Sequence, residues 1–396
     1  MLKGPLVGFL GAILSLDLAS AAEPTTKPIE GLPWIDLLEK QEQVEEGEFL
    51  KHWRRVSCAA KTFEFIDDPK APGEEVLRCT GKPTGLLRSA EIYENFICEF
   101  EWRHMTRDGM KANAGFFVWS DALPSVGIPF SRSIEVQVAN FDRDTDWFTR
   151  HGDVFAIHGA KMTPDPRFGA WPKGQRSLPL EFRAKETGEW NHYRITCTEG
   201  TIQLEVNGKL VSGGHQCFPR VGHLMIESEG GEVHFRKMRL LPLKESRRPL
   251  PEGSLADTLA PDTIITPLYD GFALKEAKFE NEELFRPSDY RLNVAAGEGS
   301  VLIPLQPKSE KWSLTVDLRL SAPLEAIPLA IDRVNFPKMA LSKGVHRIRV
   351  DFDSDDYVVT LEGKVLVRGK ATPGFIRIDA TKVGYVLNNL LLLEQL

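Results

Sequence analysis

The chain has only five cysteines, Cys58, Cys79, Cys98, Cys197 and Cys217, among its 396 residues. The odd number leaves at least one thiol unpaired, and no spacing is that of a zinc ribbon or a redox pair. Buried core thiols are the expected role, with a Cys58–Cys79 bridge as the alternative. Basic tracts are missing too: 49 Lys and Arg face 56 Asp and Glu, a net charge of −7. Without clustered cations to neutralise phosphates, a nucleic-acid partner is excluded. Long apolar runs are confined to residues 6–16, preceded by Lys3 and followed by the small residues Ala19, Ser20, Ala21 and Ala22. That run is too short to span a bilayer and has the flanks of a cleaved secretory signal. The expectation is a signal peptide over residues 1–22, a periplasmic or extracellular mature chain, and no membrane span after cleavage. The sequence also lacks a His-Glu-x-x-His helix motif, a Gly-x-Ser-x-Gly elbow and a phosphate-cradling glycine loop. Zincin, serine-hydrolase and nucleotide chemistries lose ground accordingly.

What is present is the composition of a folded soluble protein, with 42% hydrophobic and 27% charged residues. The length is enough for two or three domains of roughly 150 residues. Residues 23–48 read as a Thr/Pro spacer and one short helix, in which Trp34, Ile35, Leu37, Leu38 and Val44 lie among Glu and Gln. From residue 49 the pattern turns to short alternating runs broken by Gly, Pro and Asp, the signature of an all-β sandwich. Phe96, Cys98, Phe100 and Trp102 alternate with polar residues, as do Ile134, Val136 and Val138, and Ile202, Leu204 and Val206. The last run stops at Asn207-Gly208, a strong hairpin turn because both residues tolerate positive φ. This first sandwich is expected over residues 49–243 and a proline-punctuated linker over 244–267. Residues 268–396 look like a worn copy of the first sandwich. Gly188 to Ile195, the turn at Asn207-Gly208-Lys209 and Phe235 to Leu241 have counterparts in Gly344 to Ile348, Glu362-Gly363-Lys364 and Val386 to Leu392, and Phe96 to Arg103 matches Trp312 to Arg319. Such self-similarity predicts a second, degenerate β-sandwich in tandem. It has no counterpart to the Glu135/Gln137 run, which predicts a structural or docking role.

Polar side chains gather on alternate positions of the first sandwich: Glu101 and Arg103, Asn113, Glu135 and Gln137, His158, then Glu227 and Glu229. If their strands are neighbours, the outward faces form one carboxylate-rich surface flanked by Trp102, Trp119 and Trp147. Such a surface suits a sugar, whose hydroxyls need polar groups and whose ring needs an aromatic platform. A solvated sheet face is the plainer alternative for any one of them. Among the scattered histidines His158 stands out, placed beside Gly159 at an expected strand end. Asp142, Asp144 and Asp146 alternate ahead of Asp153, but Trp147 replaces the tight-turn glycine of a calcium loop, so a solvated acidic loop is favoured. A looser divalent-cation site joining one of these carboxylates to His151 or His158 stays open.

An ordered set of motifs carries a resemblance: Tyr93-Glu94-Asn95-Phe96, Glu101-Trp102-Arg103, Asn113-Ala114-Gly115, Glu135-Val136-Gln137, Gly188-Glu189-Trp190-Asn191, Val206-Asn207-Gly208, Glu229-Gly230 and Phe235-Arg236. Together they resemble the 3-keto-disaccharide hydrolase family across residues 49–243. The resemblance implies a concanavalin-like jelly roll and cleavage of a glycoside already oxidised at C3 by a partner enzyme. The C3 ketone acidifies the C2 proton, and the enolate formed on its removal expels the C1 substituent. Carried over by position, Glu135 is the base or a metal ligand. Glu101 and His158 are further proton-transfer candidates, and Arg103, Asn113, Gln137, Trp119 and Glu229 are sugar-binding candidates. A divalent cation is an implied cofactor, holding the enolate oxygen. The strand at Glu135 lacks the aspartate and second glutamate of laminarinase-type enzymes, which disfavours the two-carboxylate glycosidase mechanism. The chain departs from the family pattern at Ala114 (usually serine), Asn140 (often aspartate), Phe155 (usually tyrosine) and Lys237 (usually asparagine). These departures keep a non-catalytic carbohydrate-binding protein of the cell envelope as the alternative.

Overall fold

The computed structural model describes residues 33–40, 51–105, 113–140, 151–171, 174–244 and 249–395. The expected signal peptide, Trp147, Asp142, Asp144 and Asp146 lie outside the described residues. Apart from two short 3-10 turns, every regular element described is a β-strand.

The first sandwich is a jelly roll of two antiparallel sheets. The larger runs Lys161–Pro164, Lys209–Phe218, Thr201–Val206, Asn191–Thr198, Phe96–His104, Val233–Pro242, Ala71–Cys79, Phe63–Asp68. The smaller runs Gly169–Ala170, Arg176–Leu178, Val154–Ile157, Ser133–Ala139, Asn113–Ser120, Gly222–Ser228, Gly85–Tyr93, Trp53–Arg55. The predicted alternation fills the space between them. Phe100 from the larger sheet lies against Phe116 from the smaller, ring centres 4.8 Å apart, with Tyr193 and Phe235 beside it. All five cysteines are buried and free, and burial pushes the Cys58 thiol up to about 11 and that of Cys79 up to about 12. They are core residues, and the Cys58–Cys79 bridge is not formed.

The second sandwich repeats part of the first, seven strands of its larger sheet and four of its smaller one. Its larger sheet runs Phe285–Ser288, Arg291–Val294, Tyr385–Gln395, Lys311–Leu320, Gly344–Asp353, Asp356–Leu361, Lys364–Lys370. Read in that direction, these correspond to the seven strands of the first large sheet from Phe63–Asp68 to Lys209–Phe218. Its smaller sheet holds Leu329–Ile331, Phe375–Asp379, Ser300–Pro304 and Lys278–Glu280. Among the described residues it has no equivalent of the Ser133–Ala139 strand or of the strands beyond it.

Two expectations are corrected. Within the predicted helix, Ile35–Asp36 is a strand paired antiparallel with Arg239 and Leu240. Leu37 is buried in the core and its N–H donates to Met238 O at 2.9 Å. An open strand edge beside the segment supplies backbone partners and an apolar seat together, which outweighs a modest helical preference. Residues 41–48 lie outside the described residues. The expected linker also ends early, because Thr263–Pro267 forms a strand against Leu391–Gln395. Its Ile265 joins Leu391 and Leu393 in an apolar cluster with Val56, Leu86, Phe117 and Met225 of the first sandwich. The two sandwiches therefore share buried surface on the outer side of the first small sheet.

Candidate active site

Alternation on three adjacent strands of that small sheet builds the site. On Ser133–Ala139, Ile134, Val136 and Val138 enter the core, so Glu135 and Gln137 face outward. On Asn113–Ser120, Phe116 and Val118 point in, leaving Asn113, Gly115 and Phe117 outside; on Gly222–Ser228 the outward residues include Met225 and Glu227. The register sets Phe117 opposite Glu135 and opposite Met225, and bridges Asn113 to Glu229. Gly115 thus separates the two glutamates. A Cβ at that position would lie 2.9 Å from Glu135 Oε1 and 2.8 Å from Glu227 Oε2. Only a residue without a side chain lets the carboxylates converge there.

Hydrogen bonds fix the rim. Gln137 Nε2 donates to Asn113 Oδ1 at 2.5 Å and to Ala114 O at 2.9 Å, while Asn113 Nδ2 donates to the Glu229 carboxylate. On the other side Arg176 lies over the Phe155 ring at 3.4 Å and donates to Asp153 Oδ2 at 2.8 Å.

Glu135 and Glu227 are only 6% and 2% exposed, which separates this cluster from an ordinary solvated sheet face. Burial pushes the Glu135 carboxyl up to about 8; the charges of Glu229 and Asp153 add to this and Arg176 opposes it. Glu227 stands well above the carboxylate range because of burial and then the charges of Glu135 and Glu229. Burial also raises Glu229, against the pull of its Asn113 hydrogen bond. Two converging buried carboxyls, both raised above the ordinary range, are an arrangement for moving protons.

Of the residues singled out from the sequence, Glu135, Gln137, Asn113, Glu227 and Glu229 come together here; Glu101, Arg103, Trp102, Trp119, His151 and His158 do not. Glu101 and Arg103 face outward, but from the Phe96–His104 strand of the larger sheet, on the opposite surface of the sandwich. Burial works to raise Glu101, but hydrogen bonds from Arg236 at 2.6 Å and Lys237 at 3.1 Å prevail and hold it below the usual range. Arg103 is spent on Asp68 at 2.5 Å, with Trp190 4.3 Å from its guanidinium. Trp119 and Trp102 are core residues, and the Trp119 indole N–H donates to Glu94 O. His158, at φ 51°, stacks on Phe130 rather than on a carboxylate, and burial lowers its pKa. His151 is buried, its Nε2 accepting the Arg183 N–H.

Arg176, Asp153 and Gly115 carried no expected role in this cluster. The glycine in Asn113-Ala114-Gly115 was the available signal, since a strand-interior glycine marks a close approach. As for the implied cation, no group of three His, Cys, Asp or Glu side chains among the described residues is arranged to hold a metal.

Residues 34–241 match the model of the 3-keto-alpha-glucoside-1,2-lyase-like domain. A search of curated proteins finds no match. Among solved structures, a candidate glycosyl hydrolase from Parabacteroides distasonis is 15% identical at a TM-score of 0.36, the match covering 49% of this chain and 89% of that one. The carbohydrate-binding module CBM66 from Bacillus subtilis is 12% identical at 0.31, covering 47% and 93%. The domain match takes in more than half of the sequence and the whole carboxylate cluster, and so the chain belongs to the 3-keto-alpha-glucoside-1,2-lyase-like family.

Proposed function

We propose that the chain cleaves 3-keto-glycosides at the Glu135–Glu227 cluster by elimination and hydration. The observation that carries this reading is the pair of buried carboxyls converging on Gly115, both raised above the ordinary carboxylate range by burial. Ionised Glu135 takes the C2 proton, and the electron pair of that C–H bond moves toward C3 so that the carbonyl oxygen becomes an enolate. The enolate collapses, the C1–O bond breaks, and the departing oxygen receives the proton of Glu227. Water then adds across the C1–C2 double bond, oxygen to C1 and hydrogen to C2, which returns the 3-keto sugar with a free hydroxyl at C1. A base whose pKa lies near the working pH is both ionised often enough and basic enough for the first step. The Arg176 guanidinium, held over Phe155 by Asp153, supplies positive charge beside the base. The oxidised substrate implies a partner enzyme that makes the C3 ketone.

Aglycone release from a 3-keto-glucoside and from its unoxidised parent tests the reading. The expected result is release from the keto form alone, reduced by about 10²-fold or more in Glu135→Gln. A chelator arm tests the implied divalent cation. Release from both sugars, or full activity in the variant, would sink the mechanism. A second reading, a non-catalytic carbohydrate-binding protein, draws on Phe155, whose ring is covered by Arg176 and offers no hydroxyl. It predicts saturable sugar binding without release.

A further inference from the structure

The second sandwich touches the first at the end of the strand that carries the cluster. Its strands Phe285–Ser288 and Arg291–Val294 form a hairpin, with Asp289 in the turn at φ 53°. The Tyr269 hydroxyl braces that turn, its oxygen 2.8 Å from Asp289 O and 2.7 Å from Arg291 O, within reach of its single O–H donor. The Asp289 carboxylate crosses to the first sandwich. Its Oδ1 accepts the Thr84 N–H at 2.6 Å and its Oδ2 the Thr84 hydroxyl at 2.7 Å. Gly271 makes the approach close, since a Cβ there would stand 2.3 Å from Pro83 Cβ. The Pro83–Thr84 turn in turn fixes the carboxylate strand. Ser228, between Glu227 and Glu229, donates its hydroxyl to Pro83 O at 2.9 Å, and Gly230 N–H donates to Gly81 O at 2.7 Å.

We propose that Asp289 is a positioning residue for the active site: through Thr84 and Pro83 it fixes the strand end that bears Glu227 and Glu229, which makes the second sandwich part of the catalytic unit. The catalytic consequence rests on the function proposed above; the mechanical coupling does not. Thr84 presents two donors to two carboxylate oxygens. Asp289→Asn keeps the size of the side chain but leaves one donor unmatched, while Asp289→Glu keeps two acceptors. Displacement of a catalytic group by about 1 Å costs on the order of 10²-fold in rate.

The test compares the full-length wild type with Asp289→Asn, Asp289→Glu and, as a control elsewhere on the second sandwich, Asp351→Asn. Amide hydrogen exchange and 3-keto-glucoside turnover are measured on each. In Asp289→Asn, exchange should rise at residues 81–86 and 227–231 and stay unchanged elsewhere. Its kcat should fall about tenfold or more with KM within about twofold, and Asp289→Glu should recover part of that loss. Unchanged exchange at residues 227–231 would overturn the coupling. Exchange rising throughout both sandwiches would make Asp289 a general stability residue and overturn it equally. Raised local exchange with undiminished kcat would overturn the positioning role. A wild type without turnover would instead end the functional reading, and the exchange arm would still decide whether Asp289 holds the strand.

Discussion

Glu135 has its proton affinity set by where the sheet places it. Its pKa is raised to about 8 by burial first and by Glu229 next, against an ordinary value of 4.5 in the unfolded chain. Below the unfolded value both states are protonated, and burial of the neutral acid carries no ionisation penalty. As the pH rises toward 8 the unfolded chain ionises while the folded one resists, so stability drains through that window. The expected outcome is that the difference in melting temperature between Glu135→Gln and wild type is smallest near pH 4.5 and grows in favour of the variant up to about pH 8. Thermal unfolding at a series of pH values checks it. A constant difference across the series would mean that Glu135 titrates alike in the folded and unfolded chain. The base proposed for C2 deprotonation would then have an ordinary carboxylate pKa.

At the scale of elements, the Asn113–Ser120 strand is the spacer between two carboxylate-bearing strands, and Gly115 is its open position. Gly115→Ala would place a methyl group 2.8 to 2.9 Å from both carboxylates. The variant should fold, because alanine suits a strand better than glycine, yet lose turnover by about tenfold or more as Glu135 and Glu227 are forced apart. Circular dichroism with steady-state kinetics checks this; retained turnover would mean that the two carboxyls need not converge. The alternation that marks these strands was legible in the sequence, and so were Glu135, Gln137, Asn113 and Glu229 as outward residues. Alternation reports in from out, however, and is silent on which of two sheets a strand joins. Glu101 and Arg103 have the same parity as Glu135 and Gln137, yet they open on the opposite surface, where Arg236 and Asp68 occupy them. Trp119 eluded the same reasoning because its positive φ breaks the strand's parity and turns it into the core. The Ile35–Asp36 strand was hidden for a different reason, since its partner lies some 200 residues away on Val233–Pro242 and no local pattern encodes that pairing.

For the whole molecule, the tandem repeat read from paired motifs corresponds to two sheets with one strand order, and the copy that lost the Glu135 strand grips the one that kept it. The grip centres on Asp317, fully buried on the second sandwich. Its carboxylate pairs with Arg347 at 2.6 Å, accepts from Asn389 at 2.7 Å and accepts the Gly127 N–H of the first sandwich at 2.8 Å. Arg347 and Asn389 also donate to carbonyls of the same loop, at Pro124 and Ile128. Removing one member of such a network strands the others without partners, which costs about 3 kcal/mol or more, whereas an exposed pair is worth less than about 1 kcal/mol. Asp317→Ala should therefore lower unfolding free energy by roughly 3 kcal/mol. Asp351→Ala, which breaks a half-exposed pair with Arg349, should change it by under about 1 kcal/mol. Because the lost contacts join the two sandwiches, calorimetry of Asp317→Ala should also resolve a single transition into two, with the second sandwich melting apart from the first. A single transition shifted by less than 1 °C would show that the apolar cluster around Ile265, Leu391 and Leu393 couples the sandwiches without help. The polar network would then serve only to fix how the Pro124–Ile128 loop lies.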